Sequence, residues 1–139
     1  MDIVPGMASL DDAGVRELLD GQNYAVVSTL NHDGSIHSTM VWISREDAAV
    51  AVNSALGRLW PRNLERDPRV SVVVHENGNP YHFVEIRGRA SATREGADEH
   101  INQLTKKYMG QDEYPFRAPG EQRIKFVIEP ERIRYVKQG

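Results

Sequence analysis

The chain has 139 residues, no cysteine and a formal charge of −3. That length suits one domain, residues 1–139, with a core that needs no covalent staple, and the missing cysteines exclude disulfides, iron–sulfur clusters, thiolate zinc sites and thiol catalysis. The acidic balance argues against nucleic acid or a membrane surface as partner; no apolar run nears the roughly 20 residues of a bilayer crossing, and no signal-peptide pattern opens the chain, so a cytoplasmic location is expected.

Ser9 to Asp20 reads as a short helix, with Ser9 as cap, Asp11 and Asp12 in its first turn, Gly21 after it, and Leu10, Val15, Leu18 and Leu19 as its apolar stripe. The period then changes. Tyr24 to Leu30 is a strand, Asn31-His32-Asp33-Gly34 a turn, and Ser35 to Ile43 a second strand. Ser44 to Asp47 turns into a third strand, Ala48 to Asn53. A short helix follows, then a hairpin of Val70 to Glu76 and Tyr81 to Ala90 around Asn77-Gly78-Asn79-Pro80. Thr93 to Met109 is the strongest helix, with Glu95, Asp98 and Glu99 early, Lys106 and Lys107 late, and Gly110 after it. Gly110 to Gln122 is irregular, and two last strands, Arg123 to Ile128 and Ile133 to Val136, flank Glu129-Pro130-Glu131. No βαβ alternation appears, so the expected fold is mainly β: a split antiparallel β-barrel of about seven strands with two or three peripheral helices.

The most unusual stretch is SALGRLWPRNLERDPRV, Ser54 to Val70, which sets Arg58, Arg62, Arg66 and Arg69 between two apolar strands. In a helix, Leu56, Trp60 and Leu64 fall on one stripe and Arg58, Arg62 and Arg66 on the opposite face. Pro61 is comfortable only in a first turn, so Gly57 to Trp60 should be turn-like and the helix should begin near Pro61. Free amides at that start, beside guanidinium forks and with Asn53 and Ser54 at the preceding strand end, are what phosphate recognition requires. The competing reading is a solvated arginine face paired with Glu65 and Asp67.

A strand ending in a small polar residue, followed by Arg58-x-x-x-Arg62-Asn63-Leu64-x-Arg66-Asp67-Pro68-Arg69, resembles the FMN-binding split β-barrel superfamily, of which pyridoxamine-phosphate oxidase is the familiar member. The hairpin from Tyr24 to Leu30 with His32-Asp33-Gly34, then Ser38-Thr39-Met40-Val41-Trp42, looks like the first hairpin of that superfamily. Lys107-Tyr108-Met109-Gly110, Tyr114-Pro115 and Pro119-Gly120 are most similar to its deazaflavin-dependent reductases, which use coenzyme F420 and are typical of actinobacteria. The resemblance implies a homodimer with the cofactor at the subunit interface, the ring along Ser38, Thr39, Met40 and Val41, and the phosphate near Asn53, Ser54, Arg58, Pro61, Arg62 and Asn63. Where relatives often carry a basic residue, this chain has Trp60, which either packs in the core or stacks on the cofactor. The implied function is an F420-dependent oxidoreductase that passes hydride from the reduced deazaflavin to an unsaturated small molecule. FMN in the same fold, as an oxidase or flavin reductase, is the alternative, and a non-catalytic F420-binding or storage protein is another. No catalytic acid is identified.

Of the histidines, His37 adjoins the ring-lining strand, His75 and His82 face each other if the hairpin loop has four residues, and His32 and His100 are expected in solvent. No metal site is expected, since no third ligand accompanies the pair. Glu85, Arg87 and Arg89 share a strand face and read as a solvated or dimer-interface ladder. Tyr81, Phe83, Tyr114 and Phe116 are candidates to close the site from the partner subunit, and Arg117 or Lys125 to meet an acidic cofactor tail.

Overall fold

A computed structural model describes residues 8–138. Among these the elements in chain order are α1 (Ala13–Asp20), β1 (Ala25–Leu30), β2 (Ile36–Val41), β3 (Ser44–Glu46), β4 (Ala49–Ala55), α2 (Leu59–Arg66), β5 (Arg69–Glu76), β6 (Asn79–Thr93), α3 (Ala97–Met109) and β7 (Arg123–Lys137). The strands make one antiparallel sheet in the order β2-β1-β5-β6-β7-β4-β3. This is the expected mainly β split barrel, with three helices around it.

Two long strands explain how so small a sheet encloses a core. β6 and β7 each run 15 residues. The first part of β6 pairs with β5, from Asn79 to Arg89, while the first part of β7 pairs with β4, from Arg123 to Ile128. Each long strand therefore serves one half of the barrel with one end and joins the other half with the rest. The register between them shifts at Arg87/Gly88, opposite Pro130. Pro130 has no N–H to give, and a bulge is where a strand can spare one. The sequence reading broke this strand at Glu129-Pro130-Glu131 into two; the bulge lets it continue through the proline.

Alternation fills the interior. Ala25, Val27, Val72, Val74, Val84, Ile86, Phe126 and Ile128 are all buried, and Val15, Leu18 and Leu19 of α1 close one side. Trp60 and Leu64 of α2 join the same core, with the Trp60 ring centroid 5.3 Å from that of Phe126.

Other local readings need correction. Ser9 does not cap α1: Asp12 occupies that position, while the Ser9 N–H donates to Asp12 Oδ2 and Ser9 Oγ accepts from the Asp11 N–H in the turn before it. Ser44–Glu46 is a strand rather than a turn, because β4 offers it a ladder through Ser44↔Ala51 and Glu46↔Ala49. The β5–β6 turn is the two residues Asn77-Gly78, with Glu76 opposite Asn79 and a bulge beside it. That bulge separates the two histidines. His75 lies opposite Phe83, and His82 is buried, its Nδ1 2.9 Å from Glu76 Oε1 and its Nε2 2.8 Å from the Tyr135 hydroxyl. β6 extends to Thr93, so α3 starts at Ala97 after Gly96 in the left-handed region. α2 begins at Leu59, two residues early, with Pro61 still inside the first turn, where its missing N–H costs nothing.

Candidate functional site

A cleft of about 500 Å³ lies between β2, the end of β4, the start of α2, α3 and the Tyr114–Phe116 loop. Its volume lies within the range of small-molecule sites. Of the residues expected at the cofactor, Thr39, Met40, Val41, Asn53, Ser54, Arg58 and Trp60 all line it. The four others lie elsewhere. The Ser38 hydroxyl is 2.8 Å from that of Ser28 on the other face of β2, and Pro61 is buried in the first turn of α2. Arg62 and Asn63 border a separate depression with Asn31, His32 and Arg66, which meets the main cleft only at Leu59.

Asn63 carries no free polar group toward a ligand. Its amide donates to Thr29 Oγ1 at 3.0 Å and to Asn31 Oδ1 at 2.9 Å, which ties α2 to β1 in a position almost closed to solvent. Asn63→Ala leaves both oxygens short of a donor, and is expected to lower the unfolding free energy by about 2 kcal/mol in urea titration.

The polar end of the cleft is built from three elements. Arg58, the residue before α2, is half exposed; Ser54 and Asn53 end β4; Arg123 opens β7. Arg123 was not anticipated. It is buried, with its Nε donating to Asn53 Oδ1 at 3.0 Å, its Nη1 3.0 Å from Glu121 Oε2, and its guanidinium carbon 4.9 Å from the centre of the Tyr114 ring. Sequence separation hid it, because Arg123 meets Asn53 across 70 positions.

The Arg123 bond fixes which way the Asn53 amide points. With Oδ1 accepting from Arg123, Nδ2 donates to the Ala97 carbonyl at 2.9 Å and to His100 Nδ1 at 3.1 Å. His100 Nδ1 is then an acceptor, so the proton sits on Nε2 and is donated to Ser44 Oγ at 2.9 Å. This neutral tautomer suits its surroundings, since burial, aided by the charge of Lys125, pulls the His100 pKa down to about 4. The expectation of a solvent-facing His100 is thus overturned. Its spacing from Ala97, Ile101 and Leu104 places it on the apolar face of α3, a signal the sequence did contain.

Ser54 differs from its neighbours. Its hydroxyl is buried on the cleft wall, and among the described residues it is the one buried side-chain polar atom without a hydrogen-bond partner. Buried hydroxyls are normally satisfied, so this one is available to a ligand oxygen.

Aromatic rings supply much of the rest of the lining. Tyr108 stacks between Tyr24 and Trp42, with centroids at 5.6 and 5.2 Å, and Tyr114 meets Trp42 edge-on at 6.3 Å. The Tyr108 hydroxyl donates to the Asn23 carbonyl at 2.7 Å, and burial pushes its pKa up to about 12, so it stays protonated. Tyr114 and Phe116 reach the cleft from the same chain. Tyr81 and Phe83 do not line it, and His37 does. Arg117 and Lys125 are paired with Asp98 and Glu46, at 3.0 and 2.7 Å, and neither lines the cleft. Glu85 and Arg89 belong to a cross-strand ladder, paired with Arg134 and Glu131.

A family model for pyridoxamine 5'-phosphate oxidase matches residues 12–137, nearly the whole described chain. The chain belongs to that family. Pyridoxamine 5'-phosphate oxidase-like proteins bind FMN or related flavins, and a cleft lined by two arginines and several aromatic rings is consistent with such a group. Among solved structures, an F420 reductase is similar at 21% identity over 85% of this chain and 94% of that one, with a TM-score of 0.74. A conserved hypothetical protein of Mycobacterium tuberculosis is similar at 17% identity over 98% and 90% of the two chains, with a TM-score of 0.72. A Listeria innocua protein provisionally assigned as a pyridoxamine 5'-phosphate oxidase follows at 22% identity, 93% and 99% coverage and a TM-score of 0.70. At these identities the likeness establishes the fold alone. No curated protein matches the sequence. No helix among the described residues is long and apolar enough to cross a membrane.

Proposed function

We propose that the chain is an oxidoreductase that binds coenzyme F420 without a covalent bond and reduces an unsaturated small molecule. The observation that carries this reading is a half-exposed Arg58 and an unpartnered Ser54 hydroxyl lining the same cleft as Trp42 and other aromatic rings. A phosphate beside them would receive the Ser54 O–H and the Arg58 N–H groups, both charge-assisted toward an anion. Thr39 and Val41 would line one side of the ring, and Trp42, backed by Tyr108, would limit water access to it. When bound, the reduced deazaflavin supplies the hydride. The chain's own residues then have to hold, orient and shield, and no side chain is assigned as the proton donor.

A homodimer belongs to this reading. β2 is a sheet edge, and its Ile36 and Met40 are mostly exposed, as a surface covered by a second copy would be. The family match favours FMN as the second candidate cofactor, since the same phosphate end serves either.

Fluorescence titrations of cofactor-free protein with F420 and with FMN separate the two. Tight F420 and weak FMN binding are expected; the reverse moves the protein to the flavin branch, and binding of neither removes the reading. Turnover of reduced F420 in a substrate screen distinguishes an enzyme from a storage protein. Arg58→Ala should weaken F420 binding by about 1.5–2 kcal/mol, the loss of one charge-assisted bond. An unchanged affinity would take Arg58 out of the site.

A further inference from the structure

Glu121 sits behind the cationic end of the cleft, with its side chain only 7% exposed, and divides its carboxylate between two arginines. Oε2 is 3.0 Å from Arg123 Nη1, and Oε1 is 3.3 Å from Arg58 Nη2. A tight turn sets it there: the Glu121 N–H donates to the Ala118 carbonyl at 3.0 Å, with Gly120 at φ 74°. We propose that Glu121 is a specificity residue, which fixes the charge of the phosphate end at a single positive unit and so selects a singly charged phosphodiester over a doubly charged terminal phosphate. This rests on reading the cleft as the site of a phosphate-bearing cofactor.

The charge sum is short. Arg58 and Arg123 are the two fixed cations lining the cleft, and Glu121 cancels one of them. The nearby imidazole of His100 is neutral, as its hydrogen bonds require. Glu121 stays in place when a ligand arrives, because Arg123 is buried and would otherwise be left as an uncompensated cation. Arg58, by contrast, is half exposed and spends one N–H of its five on Glu121, so the rest of its fork can turn to an anion. A phosphomonoester carries nearly two charges at neutral pH, its second pKa lying near 6. F420 carries its phosphate as a diester with one charge; FMN carries a monoester. One net cation therefore neutralises the first and leaves the second with a charge unmatched inside the cleft.

The experiment compares three ligands on wild type and Glu121→Gln: riboflavin, with no phosphate, FMN and F420. Removing one negative charge beside the phosphate should act in proportion to the charge of the phosphate itself, since the acidic tail of F420 lies beyond this end of the cleft. FMN affinity is expected to rise about tenfold, F420 affinity about threefold, and riboflavin affinity to stay the same. Equal changes in all three, riboflavin included, would make Glu121 a structural residue and overturn the inference. So would a fall in FMN affinity alone, which would make Glu121 only a prop for Arg58. If Glu121→Gln does not fold, Arg123→Gln tests the same rule with opposite sign, since it takes the sum to zero: riboflavin reads the loss of Arg123 from the cleft wall, and beyond that change FMN should lose about tenfold and F420 about threefold. Equal losses would again overturn it. Wild-type protein that binds none of the three would overturn the cofactor reading itself, and this inference with it, whereas wild type that binds F420 with no charge-graded response in the variants would overturn the inference alone.

Discussion

Gly88→Ala should destabilise the fold by at least about 3 kcal/mol, the upper end of the range for overpacking a rigid site. A Cβ built at Gly88 would stand 2.0 Å from the Glu129 carbonyl oxygen, 2.9 Å from its carbon and 3.2 Å from Pro130 Cα. All three are backbone atoms, so no rotamer change relieves the contact. The site is also where β6 and β7 shift register and where the sheet turns from one half of the barrel to the other. Moving the strands apart there would disturb the β4 end of β7, and with it Arg123 at the cleft. For a chain of this length the change corresponds to a melting temperature lower by roughly 10 °C. Urea unfolding with an unchanged slope and a lower midpoint is the expected record. An unchanged midpoint would show that the bend does not depend on this close approach.

The second large effect is a loss of stability in mild acid that belongs to His100. Its folded pKa is about 4, against about 6.5 for a free imidazole, because the ring is buried and lies near the positive charge of Lys125. Between those values the unfolded chain binds a proton that the native chain refuses, so stability rises with pH across this window. The contribution is complete above pH ~6.5 and is lost as pH falls through ~4. Its total is on the order of 3 kcal/mol, of which about 2 should be gone by pH 5. Asp67, held near 2 by its bonds from Arg69, titrates below this range. Denaturant midpoints between pH 7 and pH 5 should fall steeply in wild type and much less in His100→Gln. Parallel slopes would mean that the imidazole takes up its proton without leaving the core.

The hairpins were legible because alternation and turn residues act locally. Asn31 to Gly34 and Asn77 to Pro80 mark where the chain turns, although the second turn closes over Asn77-Gly78 alone, and Val70 to Val74 announces a buried strand. The start of α2 was legible to within two residues, since Pro61 must stay in the first turn and the Trp60–Leu64 spacing fixes the buried face. What escaped were features that depend on distant partners. Ser44–Glu46 becomes a strand only because β4 lies beside it. Pro130 looks like a strand end until Gly88 is set opposite. Arg123 and Glu121 reach the cationic end of the cleft only once β7 has been laid against β4. Arg62 and Asn63 show the converse: the motif runs continuously along the sequence, but the helix sends those side chains to a different depression from Arg58.

The two tryptophans divide the optical behaviour of the protein between them. Trp42 stands in the cleft wall, stacked on Tyr108, while Trp60 is embedded against Phe126. A chromophore entering the cleft drains excitation from both indoles, since Trp60 borders the cleft as well, whereas loss of the core releases the buried Trp60 into water. One emission band therefore carries two clocks, one for occupancy and one for unfolding, and replacing either indole by phenylalanine leaves the other to be read alone.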